Sequence, residues 1–224
     1  MAPPTPDPSP APGVPARHGL LPPALRRDLA DLNGQYLGLA LAAEAAADPR
    51  FGWEDSIRRQ LRAVDAATLA TMSAVPFALF RLCLPCPPDR EAAAGIADQQ
   101  WAGSGTGWRG RCASFAHQAV FFARQLVDAA PLSANVVLDL APEARALLGG
   151  LCPSQLAAVA LHPGLVRPRW PAHQRFWEML EEAARSRSAV ALQWAHCAGV
   201  CLLGADDPGA AATYLAGPRR RPRR

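Results

Sequence analysis

The spacing of apolar residues and the placement of prolines predict an all-α protein made of two related helical units, with short extended segments between helices. Three observations carry this. Apolar residues recur three and four apart, as in Leu25, Leu29, Leu32, Tyr36, Leu39 and Ala43, the period of a helix with one buried face. The order helix, helix, short helix, extended segment, helix, helix reads twice along the chain. Residues also echo: Ala116-His117-x-Ala119-Val120 returns as Ala195-His196-Cys197-Ala198-Gly199-Val200 with one residue inserted, 79 residues on, and Ala123 to Pro131 is similar to Leu41 to Pro49. A period of about 80 residues is too long for the usual solenoid repeats, so an internally duplicated domain is expected. The run Ala113 to Asp128 takes part in both echoes and is expected to close one unit and open the next.

Each element has its own reason. Residues 1 to 23 hold nine prolines, which remove backbone donors and favour extended, solvated chain, so a disordered tail is expected there. Pro22-Pro23 fit a helix start, and the first helix is expected to run to about Ala47, before Pro49. A second helix spans Glu54 to about Val64, with Ile57, Leu61 and Val64 on its apolar face and Arg58, Arg59 and Arg62 elsewhere. Asp65 is the expected N-cap of a third helix, Ala66 to Ser73. Phe77 to Leu84 reads as a buried strand or extended segment, and Asp89 to Trp101 returns to helix. Gly103-Ser104-Gly105-Thr106-Gly107 lacks the Gly-Lys-Ser/Thr that grips phosphate and reads as a connection. After the central helix, Pro142 starts a helix ending at Gly149-Gly150, and Pro153 opens a short one carrying Leu156, Val159 and Leu161. Pro163-Gly164 turns the chain into an extended Leu165 to Trp170, and helices over Ala172 to Ala184 and Ser188 to Leu203 complete the order.

Composition bounds the function. The chain has 224 residues and a formal net charge of +4, with no Lys among its basic residues. Arg219, Arg220, Arg221, Arg223 and Arg224 alone supply five positive charges. The rest is close to neutral, which argues against a nucleic-acid footprint over the whole surface. The six cysteines, Cys83, Cys86, Cys112, Cys152, Cys197 and Cys201, accompany no signal-peptide pattern, so reduced thiols in the cytoplasm are expected. The longest apolar run, Ala189 to Leu203, is shorter than the roughly 20 residues that span a bilayer.

Leu126-Val127-Asp128 through Trp170, including Leu138-Asp139-Leu140-Ala141-Pro142-Glu143, Leu151-Cys152-Pro153-Ser154-Gln155-Leu156 and Leu165-Val166, resembles the FlhD family of bacterial flagellar transcriptional activator subunits. Leu192-Gln193, His196 and Gly199 continue the likeness. In the first unit, Asp31-Leu32-Asn33-Gly34-Gln35-Tyr36-Leu37-Gly38-Leu39-Ala40 is similar to the family's N-terminal Asp-x-Asn-x-x-Tyr-Leu-x-Leu-Ala helix. Together these matches cover roughly residues 28 to 203. The resemblance implies an all-α transcription regulator that dimerises and acts with an FlhC-like partner subunit, which holds zinc and makes much of the DNA contact. Here it implies two tandem FlhD-like units, 24–127 and 113–204 with a shared central helix, packed as an intramolecular pseudo-dimer between a Pro-rich tail (1–23) and a flexible Arg-rich tail (205–224). Packing of the units, or a homo-oligomer, would draw on Asp31, Asn33, Tyr36, Leu39, His117, Leu126 and His196. No cofactor, small-molecule substrate or membrane is expected, and DNA is reached through the complex. The Arg tail (Arg219, Arg220, Arg221, Arg223, Arg224) is the candidate for sequence-independent phosphate contact.

Cys83-Leu84-Pro85-Cys86 with His196, Cys197 and Cys201 offers thiolates and an imidazole for a tetrahedral zinc site. That makes a zinc-binding helical module or adaptor the alternative function. Against it, Cys197 and Cys201 are expected on an apolar helix face, where free Cys serves as a small hydrophobe. His117 and His196 are read as hydrogen-bonded packing residues, and no nucleophile-base or carboxylate constellation points to an enzyme. Trp101, Trp170 and Trp177 have the flat rings that stack on bases, but at helix spacing they read as core.

Overall fold

The computed structural model describes residues 21–42, 45, 48, 51–84, 107–162 and 164–203. Among them are nine α-helices and one pair of short strands, so the chain is all-α in class. The expected helix Asp89 to Trp101, residues Ala43, Ala47, Pro49, Cys86 and Pro163, the loop 103–106 and both tails except Leu21, Pro22 and Pro23 lie outside the described residues.

Helix α1 (Pro23–Leu41) begins on Pro22-Pro23 as expected. It ends earlier than its apolar spacing predicts, because Ala42 is extended (ψ 153°) and Arg62 Nε donates to the Leu41 carbonyl at 3.2 Å. An arginine from the next helix thus takes a carbonyl that a further turn would have used. Helix α2 (Asp55–Arg62) buries Ile57 and Leu61, and also Arg58, which the sequence places off the apolar face. The Arg58 stem lies in the core while its Nη2 donates to Phe51 O at 2.9 Å, so its head has a partner where its stem is dry. Asp65 caps α3 (Ala66–Ser73) as expected, accepting from Thr68 N at 2.9 Å and Thr68 Oγ1 at 2.7 Å. These bonds hold the Asp65 carboxyl below its ordinary range.

Strand β1 (Phe80–Leu82) leads to the long helix α4 (Trp108–Ala129). Next comes α5 (Pro131–Leu138), a helix absent from the order read in the sequence, with Pro131 at its first turn and Asp139 at its end in the left-handed conformation, φ 57°. Helices α6 (Pro142–Gly150) and α7 (Pro153–Ala160) each start on the expected proline. Strand β2 (Val166–Pro168), α8 (Gln174–Ser186) and α9 (Ala189–Leu203) are the remaining elements of the described residues.

Helix α4 lies at the centre, packed against α1, α5, α6 and α7, while α8 packs on α9, α3 and α2. Arg124 of α4 donates Nη1 to the Leu148 and Leu151 carbonyls, 2.8 Å each, closing the end of α6. The core is one continuous body. Tyr36 is at its aromatic centre, its ring 5.5 to 5.9 Å from Phe51, Trp53, Phe80 and Phe115. No helix of the described residues is long and apolar enough to cross a membrane.

Candidate protein interface

Two regions stand out among the described residues: a buried seam joining β1 to β2, and the exposed side of α9.

At the seam the two extended segments pair with each other. β1 runs antiparallel to β2 with Phe80 opposite Pro168, Arg81 opposite Arg167 and Leu82 opposite Val166. Two buried polar side chains grip the chain entering β1. Asn33 of α1 is fully buried; its Nδ2 donates to Ser73 O (3.1 Å) and Phe77 O (2.9 Å), and its Oδ1 accepts from Leu79 N (2.9 Å). The amide thus replaces three partners that water would supply to a loop. Arg169 follows β2 and is 1% exposed. Its Nη1 donates to Ala78 O at 2.8 Å and Val137 O at 3.1 Å, and its guanidinium lies over the Trp170 ring, 5.2 Å from the centroid.

Asp139 supplies the countercharge. Its Oδ2 is 3.3 Å from Arg81 Nη2 and 3.8 Å from Arg169 Nη2, the second too long for a hydrogen bond. Burial pushes the Arg169 guanidinium down to about 10, Asp139 opposes this and Arg81 adds to it. Arg169 therefore stays charged at neutral pH.

The residues singled out in the sequence divide between core and surface. Asn33, Tyr36 and Leu126 are fully buried, and Leu39 is half-buried. Asp31 is exposed and accepts from Gln35, whose Nε2 also reaches Gln118 Oε1 of α4. His117 stacks on Phe121 with ring centroids 4.6 Å apart, and His196 meets the Phe77 ring edge-on at 6.4 Å. The expected hydrogen bonds of the two histidines are not found among the described residues; both pack against rings instead. Burial holds the half-buried His196 below its ordinary pKa. Trp177 and Trp170 are buried in the core, so neither ring is presented to a base. Trp101 and the five tail arginines, Arg219, Arg220, Arg221, Arg223 and Arg224, lie outside the described residues.

Cys197 and Cys201 are on the solvent side of α9, and Cys83 is exposed as well. Among the described residues no three or more His, Cys, Asp or Glu side chains stand close enough to hold a metal. Cys83, His196, Cys197 and Cys201 are thus not gathered into a site, and Cys86 lies outside.

What sequence reading missed is the outer side of α9. Ala195, Gly199 and Leu202 face the body, and a Cβ on Gly199 would come within 2.3 Å of Phe77 Cζ. The opposite side shows Val190 at 66% exposure, Trp194 at 64%, and the exposed Cys197, Val200 and Cys201. The helix has no Asp, Glu, Lys or Arg, and its polar residues are the exposed Gln193 and the half-buried His196. Beside it, Arg175, Glu178, Met179, Glu182 and Ala183 of α8 with Ala191 and Trp194 line a groove of about 460 Å³. The signal was in the sequence: an apolar run without a charge, too short to span a bilayer, on a helix with only one side needed for the core. A second groove, about 530 Å³, lies between α1 and α3 over Gly34, Gly38 and Ala70. Compared with known proteins, the chain matches no family model, no curated protein and no solved structure.

Proposed function

We propose that this chain is a non-enzymatic, FlhD-like transcription regulator of the bacterial cytoplasm, in which two FlhD-like units form one covalent pseudo-dimer. It acts through protein contacts with a DNA-binding, FlhC-like partner subunit to control flagellar-type genes. The observation that carries this reading is the pairing of equivalent parts: the extended segment of each unit, β1 and β2, hydrogen-bonds to the other, and the long helices α1 and α4 lie against each other. Linking the two units in one chain raises their effective concentration to about the millimolar range without a new contact. The motif Asp31 to Ala40 fits the same reading, since Asn33 and Tyr36, its least generic residues, tie α1 to the approach of β1 and centre the aromatic core.

The test is affinity capture of the tagged full chain from its native cytosol, with mass spectrometry of the eluate and a gel shift on flagellar promoter DNA at physiological salt. Recovery of an FlhC-like subunit together with a retarded band is the expected outcome. A soluble, abundant bait that brings down neither would overturn the reading and leave a fold resemblance alone.

A further inference from the structure

We propose that the groove between α8 and α9 is the docking surface for this chain's own segment 204–224, with a guanidinium of its arginine block seated between Trp194 and Glu182. The inference stands on the chemistry of the groove and the order of residues in that segment, and does not depend on the regulatory reading. Glu178 and Glu182 are four apart on α8 and both exposed, so they share one face. Glu178 already holds Arg175 at 3.3 Å and accepts from Gln174 Nε2 at 3.2 Å. Glu182 has no ion-pair or hydrogen-bond partner among the described residues. The groove therefore keeps one uncompensated carboxylate, beside the 64% exposed ring of Trp194 and over the half-buried Met179.

A carboxylate next to an open aromatic face selects a flat cation. Guanidinium stacks on the ring and turns its N–H fork to the carboxylate, whereas a compact ammonium does the first poorly. This chain contains no Lys, and its densest run of Arg is Arg219, Arg220, Arg221, Arg223 and Arg224. The acidic residues of the same segment, Asp206 and Asp207, lie well before that run, which leaves the run's own charge uncompensated in sequence.

Reach and order agree with this occupant. The segment leaves α9 at Leu203, and returning from there to Trp194 retraces about 14 Å of helix. Residues 204–218 precede the first arginine of the run and can span up to about 50 Å, so the groove is within range. A tether of that length holds the arginines near the groove at about millimolar effective concentration. Going back along α9 from its end, the exposed side offers Cys201, Val200 and Cys197, then Trp194 with Glu182 beside it. Going forward, the segment offers Ala210 to Ala212, then Tyr214 and Leu215, then the arginines. Apolar meets apolar first and cation meets carboxylate after it. Phosphate would draw the same arginines, so a polyanion and the groove compete for them, and salt weakens both contacts.

The experiment is NMR of the indole N–H signals of the 15N-labelled full chain, with that of Trp194 assigned by its loss in Trp194→Phe. The chain is compared at low salt with a variant carrying Arg219→Ser, Arg220→Ser, Arg221→Ser, Arg223→Ser and Arg224→Ser together. The expected result is a Trp194 signal displaced between the two chains by more than its line width, while the signal of the fully buried Trp177 stays in place. Raising salt to about 0.5 M is expected to move the natural chain's Trp194 signal towards the variant's. Glu182→Gln, at an exposed position, is expected to reduce the displacement by about half or more. Identical Trp194 signals at low salt overturn the proposal, as does a displacement that Glu182→Gln leaves intact. A displacement that vanishes on dilution overturns the docking within one chain, because the arginines then come from a second copy. Only purified chain is observed, so failure here is distinguishable from failure to recover an FlhC-like subunit.

Discussion

The seam and α9 hold the chain together by different physics. At the seam, Asn33 and Arg169 reach into the turn before β1 and fix named backbone groups with directed bonds: Ser73 O, Phe77 O and Leu79 N for the first, Ala78 O and Val137 O for the second. A slip of one residue there would leave buried carbonyls without donors. Helix α9 is held by shape, through Gly199 under Phe77, Ala195 fully buried and the His196 ring edge-on to Phe77. Among the described residues no side-chain hydrogen bond ties it to the rest of the core, and its outer side has much the same composition as its inner one. The lesson is that buried polar groups specify one arrangement, whereas an apolar helix with small residues docks wherever size permits and leaves a second face exposed.

Three substitutions sharpen that contrast. Asn33→Ala strips partners from three buried backbone groups and is expected to cost about 3 to 5 kcal/mol, since each buried group left unmet costs about 1 to 3 kcal/mol. Urea unfolding of the full chain measures it, and a loss below about 1 kcal/mol would mean that the seam does not depend on directed bonds. Gly199→Ala probes the shape contact. The added methyl forces Phe77 or α9 to move, an overpacking expected to cost about 1 to 3 kcal/mol in the same assay. No loss would show that α9 is free to shift on the body.

The smallest effect concerns pH at His196. Its folded pKa lies below the ordinary value because burial disfavours the imidazolium. The unfolded chain therefore binds the proton first as pH falls through about 6.5, and the stability present above that value is lost on acidification. Thermal melts from about pH 8 down to pH 5 should show a decline that His196→Gln flattens. An unchanged slope in that variant would assign the acid loss to other groups.

Much of the helical layout was legible because its causes are local. Pro22-Pro23, Pro142 and Pro153 each open a helix, Asp65 caps one through Thr68, and Leu25, Leu29, Leu32 and Tyr36 bury one face of α1. Boundaries failed where a distant side chain intervened, as when Arg62 of α2 reaches the Leu41 carbonyl and α1 ends there. Burial failed for long side chains: Arg58 was placed off the apolar face of its helix and Arg169 only within an extended segment, yet both are buried and donate to backbone carbonyls. The exposure of Cys197 and Cys201 was hidden by the very uniformity of α9, since an apolar run does not say which side meets the core.

By itself, then, the sequence determined an all-α chain and the starts of most of its helices, though not α5, because apolar period, proline and cap act within a turn or two of chain. Only the tertiary structure decided that β1 and β2 pair with each other, that Arg169 holds the Ala78 carbonyl 91 residues away, and that Trp194 faces outward. These depend on where distant backbone groups come to lie, and a side chain's role there is set by the groups that happen to surround it.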